Sequence, residues 1–146
     1  MPAVTSTLEI NAPVDRVYSF VADRPEGATA FIPGLNRISN VSSPAPAVGQ
    51  TWEYEFNWFG LVITGQTRCT ALDRQRTYQF QTLTGNPSTW TYRFEPRGAA
   101  TGVTLEVDYD LPQGQIARFA SQQVLEKMNQ ERAEEMLSNL KGLLEE

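Results

Sequence analysis

The chain of 146 residues contains no histidine. Histidine is the most frequent general base and a common metal ligand, so its absence excludes every Ser-His and Cys-His catalytic arrangement. Cys69 is the only cysteine, and it therefore forms no internal disulfide and belongs to no cysteine pair that could bind zinc. The ten glycines are scattered and form no phosphate-binding loop. We predict neither a metal site nor a bound cofactor.

Basic residues are also few. Lys and Arg total 12 against 17 Asp and Glu, which gives a net charge of −5. With no basic run, the chain is a poor candidate for binding nucleic acid. It has no apolar run of about 18 residues, so no membrane span is predicted. The opening MPAVTSTLEI lacks the basic and apolar regions of a signal peptide, and a cytoplasmic location is expected.

What the chain does contain is a series of alternating segments typical of half-buried strands. Hydrophobic residues make up 40% of it, which is enough for one globular domain spanning residues 1–146. Residues 3–10 alternate, and apolar residues then recur at helical spacing over 14–21, followed by a weaker helical stretch over 25–32. Six further strands are predicted, over residues 35–43, 51–58, 61–72, 77–83, 88–95 and 103–111.

Short links between these strands predict an antiparallel meander, and hence an α+β domain. Two features stay open. Alternation does not settle which side chains of strands 35–43 and 61–72 face inward. Gly65, inside the second of these strands, predicts a bulge or a bend.

The last segment, residues 114–146, predicts one long helix, since proline is absent and glycine lies only near its ends. Met136, Leu140 and Leu144 follow one another at a spacing of four and predict packing against the sheet. The preceding stretch is more polar. There Arg132 either extends outward to solvent or, with Asn129, offers a polar contact to a ligand.

Two stretches carry a resemblance to a known superfamily. The opening TLEINAPVDRVYSFVAD, with FIPG after it, resembles the start of START-like, or birch-pollen-allergen-like (SRPBCC), proteins. The ending NQERAEEMLSNLKGLLEE resembles bacterial polyketide cyclase/dehydrase-like members. The resemblance implies a helix-grip fold: a curved antiparallel sheet of about seven strands around a long C-terminal helix, two short helices after the first strand, and a cavity between sheet and helix. The superfamily includes ligand binders, aromatase/cyclases, ring-hydroxylase domains and a chaperone cofactor, so the fold does not select a function.

One face of the predicted sheet is rich in aromatic side chains. We call this set the aromatic wall: Trp52, Tyr54, Phe56, Trp58, Trp90, Tyr92, Phe94 and Tyr109. It is either ordinary core or the lining of a pocket, and its indole N–H and phenol O–H groups need partners when buried. Apolar walls with a few polar groups are typical of small-molecule sites. We predict a hydrophobic, aromatic or lipid-like ligand, contacted from the helix by Met128, Asn129 and Arg132.

Two other functions stay open. A cyclase, aromatase or dehydratase would use Tyr54, Tyr92 or Arg132 to polarise carbonyl groups, although no catalytic residue is identified. An accessory factor of a larger enzyme would need no pocket. The carboxylates Glu53, Glu55, Glu106, Asp108 and Asp110 alternate with inward residues and are expected to face water. Only a strand bulge would turn Glu55 or Asp108 inward as a base.

The pocket entrance is expected near residues 31–34 and the turn at 59–60, with the loop 44–49 as a further lid. Phe59, Leu61 and Val62 form an apolar hairpin tip that would also suit a homodimer contact. Cys69 lies in a predicted strand and is expected to be a small buried apolar residue.

Overall fold

The computed structural model describes residues 3–58, 60–85, 87–109 and 122–145. Its sheet has seven strands: β1 (Ala3–Ile10), β2 (Leu35–Ser39), β3 (Thr51–Trp58), β4 (Leu61–Asp73), β5 (Thr77–Thr82), β6 (Ser88–Arg97) and β7 (Ala100–Tyr109). Helix α1 spans Val14–Ala22, a 3₁₀ helix spans Pro25–Ala30, and helix α2 spans Gln122–Leu144. The element order is the one that the sequence predicts, with a shorter β2. The start of the predicted long helix, residues 114–121, lies outside the described residues.

The strand order across the sheet is β1-β7-β6-β5-β4-β3-β2, and every neighbouring pair is antiparallel. Strands β1 and β2 therefore lie at opposite edges, and α1 with the 3₁₀ helix carries the chain from one edge to the other. From β2 the chain returns strand by strand until β7 pairs with β1. The predicted antiparallel meander and the helix-grip fold are confirmed.

Helix α1 covers one end of the inner face of the sheet. Its apolar residues fall on one side, so that Val17, Tyr18 and Val21 are all buried. The Tyr18 ring packs edge-on against the Phe94 ring of β6, with centroids 5.4 Å apart. This contact covers the end of the sheet that lies next to the β6–β7 hairpin.

Helix α2 packs along β1 with its C-terminal half. Met136, Leu140 and Leu144 are buried as predicted. The helix also covers the free edge of β1, because Gln130 Nε2 donates to the Thr5 carbonyl at 2.8 Å and Lys141 Nζ to the Glu9 carbonyl at 3.1 Å. These bonds satisfy edge carbonyls that would otherwise offer a pairing site to another chain. In the part of the chain that the structure describes, no helix is both long and apolar enough to cross a bilayer.

Irregular pairing explains why alternation did not settle which side chains of two strands, β2 and β4, face inward. In β2 the register shifts between Leu35 and Arg37, so Leu35 and Ile38 both reach the inner face although they are three residues apart. In β4 the shift lies between Cys69 and Ala71. A one-residue irregularity reverses the in-and-out order beyond it. Of the two alternatives predicted at Gly65, the bulge was wrong, because Gly65 pairs in regular register with Tyr54; the bend stays a prediction.

Candidate functional site

The sheet and the helices enclose an inner cavity of about 150 Å³. Eight of the predicted ligand-binding residues line it: Trp52, Tyr54, Phe56, Trp90, Tyr92, Tyr109, Asn129 and Arg132. Phe31 and Ile32, from the predicted entrance segment, are buried and also line it. The structure thus brings β3, β6, β7 and the middle of α2 around one space. Ligand binding by these residues stays a prediction.

Three predicted site residues fall elsewhere or outside the described set. Phe94 is not among the lining residues; its ring stacks on Tyr92, with centroids 6.4 Å apart, and meets Tyr18. Met128 is half-buried on α2 and is likewise not among the lining residues. The Trp58 side chain lies outside the described residues. The cavity therefore ends short of Phe94, which Tyr18 of α1 covers, although Val21 of the same helix lines it.

Cross-strand stacking packs rings of the aromatic wall against Tyr78 and Phe80 of β5. Phe80 and Trp90 lie directly opposite each other on β5 and β6, and their rings stack with centroids 5.6 Å apart. Tyr78 and Tyr92 form the next pair, at 6.2 Å. Such pairs stabilise a sheet beyond simple burial. Trp52 of β3 adds an edge-on contact with Phe80. The wall is therefore a continuous set of mutually packed rings.

A line of hydroxyl side chains crosses this otherwise apolar face. Register places Thr67, Thr82, Ser88 and Tyr109 directly opposite one another across β4, β5, β6 and β7. All four line the cavity, and we call them the hydroxyl row. The sequence analysis did not single out Thr67, Thr82 or Ser88. Alternation could have identified Thr82 and Ser88, because each lies two residues from an inward-facing aromatic residue, Phe80 or Trp90. Thr67 could not be identified in this way, because the sequence did not settle which side chains of strand 61–72 face inward.

Polar side chains of both the row and the wall make hydrogen bonds within the protein. The Thr82 hydroxyl lies 2.9 Å from the Ser88 hydroxyl and accepts from the Ser88 amide at 2.7 Å. The Trp90 indole N–H donates to Ser88 Oγ at 2.9 Å. The Tyr54 hydroxyl donates to the Thr84 carbonyl at 2.9 Å. Among the described residues, the buried Tyr109 hydroxyl has no hydrogen-bond partner.

The helix side of the cavity is anchored to the entrance segment. Arg132 is half-buried and its Nη1 donates to the Pro33 carbonyl at 2.8 Å, while Asn139 Nδ2 donates to the Phe31 carbonyl at 3.2 Å. The Gly34 carbonyl accepts from the Asn57 amide of β3 at 2.7 Å. Arg132 therefore lines the cavity rather than extending fully to solvent, and it joins α2 to the segment 31–34.

The cavity side of the sheet disfavours charge. Burial raises the pKa of Tyr78 and of Tyr92 above the ordinary tyrosine value, so both remain neutral near pH 7. The carboxylates take the outer face as predicted: Glu53 accepts from Asn40, and Glu55 pairs with Arg37 at 3.7 Å. Strand β3 pairs with β4 in regular register, so no bulge turns Glu55 inward.

Three other carboxylates were also predicted to face water: Glu106, Asp108 and Asp110. Glu106 pairs with Arg93 at 3.8 Å, and neither it nor Asp108 is among the cavity-lining residues. Asp110 lies outside the described residues. Within the described ranges, no three Asp, Glu or Cys side chains come together in a group that could hold a metal ion. Cys69 is fully buried, as predicted, and its pKa is raised by that burial.

A second hollow, of about 590 Å³, lies near the β4–β5 turn and is lined by Arg74, Arg76, Arg93 and Arg97 among others. Arg93 and Arg97 pair with carboxylates at 3.7–3.8 Å, and the Arg74 guanidinium lies 5.9 Å from the centre of the Tyr18 ring. These pairings offset much of its positive charge. We therefore take the inner cavity as the candidate site.

Comparison with known proteins agrees with this architecture. A family model described as polyketide cyclase/dehydrase and lipid transport matches residues 1–145. No curated protein sequence matches the chain. A START superfamily protein from Mycobacterium smegmatis aligns with a TM-score of 0.79 and 15% identity, covering 98% of this chain and 97% of its own.

Two further solved structures share the fold. The Zhui aromatase/cyclase from Streptomyces sp. R1128 has a TM-score of 0.79 at 19% identity, with 99% of this chain and 93% of that one covered. The major latex-like protein 151 from Panax ginseng has a TM-score of 0.73 at 11% identity, with 98% and 97% covered. At such identities the structures show the fold alone. The START-like, birch-pollen-allergen-like resemblance predicted from the sequence is confirmed.

Proposed function

Because the chain belongs to the polyketide cyclase/dehydrase and lipid transport family, we propose that it binds a small hydrophobic molecule in the inner cavity. The observation that carries this proposal is the cavity itself, bounded by the stacked aromatic rings of β5 and β6 and by α2. A dry apolar cavity of about 150 Å³ is known to accept benzene. The ligand that fits is therefore about one ring in size, and a lipid or polycyclic ligand would require the cavity to widen.

Toluene titration observed by amide NMR tests the proposal directly. We expect saturable shifts at residues of β5, β6 and β7 that line the cavity. Ala28 of the 3₁₀ helix lines the cavity, and Ala30 of the same helix is exposed. Ala28→Phe should fill the space and weaken toluene binding by at least about tenfold, whereas Ala30→Phe should leave it unchanged.

An absence of saturable shifts with toluene and with other one-ring compounds would refute the proposal. Binding that survives Ala28→Phe as well as Ala30→Phe would place the ligand elsewhere. Native mass spectrometry of protein purified from its own host gives an independent check, since a co-purifying compound of about this size is expected.

A cyclase-, aromatase- or dehydratase-like activity is the second candidate, supported by the family match and by the fold shared with an aromatase/cyclase. In this function Tyr54, Tyr92 or Arg132 would polarise carbonyls of a reactive chain, and the cavity shape would orient it. Conversion of a poly-β-ketone substrate, lost in Tyr92→Phe but retained in Tyr18→Phe, would support it. No conversion above the uncatalysed rate would count against it.

Two other expectations from the sequence stay predictions, namely a cytoplasmic location and a homodimer through the β3–β4 hairpin tip. Val62 at this tip is 56% exposed. The mass of the protein in solution, compared with that of Val62→Lys, tests the dimer. The accessory-factor hypothesis needs no cavity, so the inner cavity supports the two ligand-based functions over it.

A further inference from the structure

One buried hydroxyl of the inner cavity has no hydrogen-bond partner among the residues that the structure describes. Tyr109 ends β7, its side chain is 5% exposed, and it lines the cavity. Its hydroxyl is fully buried and has no hydrogen-bond partner among the described residues. A buried hydroxyl without a partner lowers the stability of the folded state, because it has lost its bonds to water. Because Tyr109 lines the cavity, a ligand oxygen that reached this hydroxyl would restore a hydrogen bond to it.

Two other members of the hydroxyl row do not share this property. Thr82 and Ser88 bond to each other, and Ser88 also accepts the Trp90 N–H. The wall's Tyr54 hydroxyl is bonded to the Thr84 carbonyl. These bonds fix the three groups in place, whereas Tyr109 ends the row with a buried hydroxyl that has no partner among the described residues.

The same surroundings restrict the charge of the ligand. Burial raises the pKa of Tyr78 and Tyr92, which line the cavity, because an anion there would lose its hydration. The Arg132 guanidinium already donates to the Pro33 carbonyl. Beside these tyrosines, a neutral oxygen rather than a carboxylate is the group that the interior accepts at low cost.

Building on the proposed function, we propose that the ligand is a neutral one-ring aromatic compound with a hydroxyl or carbonyl oxygen, and that this oxygen hydrogen-bonds to the Tyr109 hydroxyl. The ring then lies against the aromatic wall beside Trp90 and Val107, which are directly opposite each other next to the hydroxyl row. The bond to Tyr109 thereby sets the orientation of the ligand.

Phenol and toluene test this proposal, because they have nearly the same shape and differ in one hydroxyl. Affinities of both are measured by NMR titration for the natural protein, Tyr109→Phe and Tyr18→Phe. Tyr109→Phe should weaken phenol roughly fivefold and leave toluene within about twofold. Tyr18 is buried outside the cavity, so Tyr18→Phe should change neither affinity.

Equal effects of Tyr109→Phe on the two ligands, or no effect on phenol, would overturn the inference while toluene binding still upheld the proposed function. Failure of both ligands to bind the natural protein would instead refute the proposed function. Without ligand, Tyr109→Phe should be at least as stable as the natural protein, and a loss of stability would show that the hydroxyl already has a partner. If the variant does not fold, nuclear Overhauser contacts between phenol and Tyr109 in the natural protein decide, and their absence overturns the inference.

Discussion

At the scale of single residues, Gly65 shows how one missing side chain shapes the cavity wall. It lies on β4 opposite Tyr54. A Cβ at this position would come within 2.1 Å of the Thr84 carbonyl oxygen and 2.8 Å of the Tyr54 hydroxyl. Glycine therefore lets the β5–β6 turn fold close over β4 and lets Tyr54 donate to Thr84. The reason for glycine here is space rather than a special backbone conformation.

Gly65→Ala should accordingly destabilise the protein by about 3 kcal/mol, since a backbone carbonyl must move to admit the methyl group. Urea unfolding followed by circular dichroism measures this. Gly27→Ala is the matched control, because a Cβ there meets nothing within 4 Å. A Gly65→Ala variant as stable as the Gly27→Ala variant would contradict the close packing of the turn.

The buried tyrosines predict how stability depends on pH. Burial raises the pKa of Tyr78 well above the ordinary value of 10.0, with smaller contributions from Cys69 and other tyrosines. The folded state then holds the proton that the unfolded state releases, so stability is intact below pH 10 and falls as the pH rises above it. Unfolding free energies measured from pH 8 to 11 should decline, and the decline should be shallower in Tyr78→Phe by up to about 1.4 kcal/mol per pH unit. Identical slopes in the two proteins would disprove the assignment.

At the scale of elements, α2 has two tasks that fall on different parts of the helix. Its C-terminal half packs Leu137, Leu140 and Leu144 into the core. Its middle holds the entrance segment through the bond from Arg132 to the Pro33 carbonyl. The polar stretch around Arg132 thus lies at the cavity because it joins α2 to a neighbouring segment, in addition to any contact with a ligand.

Arg132→Met keeps the aliphatic length of the side chain and removes the guanidinium donor. We expect it to lower stability by about 2 kcal/mol and to speed amide exchange at Leu35, whose N–H bonds to the Ile32 carbonyl beside the entrance. Hydrogen exchange measured by NMR tests both effects. Arg16→Met, an exposed change on α1, should alter neither, and unchanged exchange at Leu35 in Arg132→Met would exclude the anchoring role.

At the scale of the whole molecule, one core joins the helices to the sheet. Leu140 is completely buried, whereas Leu143, less than one turn away on the same helix, is 36% exposed. Leu140→Ala should therefore cost roughly 2–5 kcal/mol of unfolding free energy. Leu143→Ala should cost under about 1 kcal/mol, a difference that thermal unfolding can measure. Similar losses in both variants would mean that α2 is not packed on the sheet by this face.

The sequence predicted which side chains face inward only in strands whose pairing is regular. Strands β1, β6 and β7 pair without register shifts and β3 pairs regularly with β4, and in these four strands alternation correctly assigned the inner and outer faces. Strands β2 and β4 each contain a shift, and there alternation gave no answer. A period of two carries facing information only while the ladder is unbroken, because one extra residue reverses every later side chain.

The sequence by itself determined the family, the element order, the antiparallel meander and most of the aromatic lining, because these depend on local periodicity and on short connections. Only the tertiary structure decided that Phe94 is packed under Tyr18 rather than in the cavity, that Arg132 bonds to Pro33, and that four hydroxyls align across four strands. These features depend on the register between strands and on how the helices dock. Neither is encoded in the pattern of any one segment, and so the unsatisfied Tyr109 hydroxyl became visible only in three dimensions.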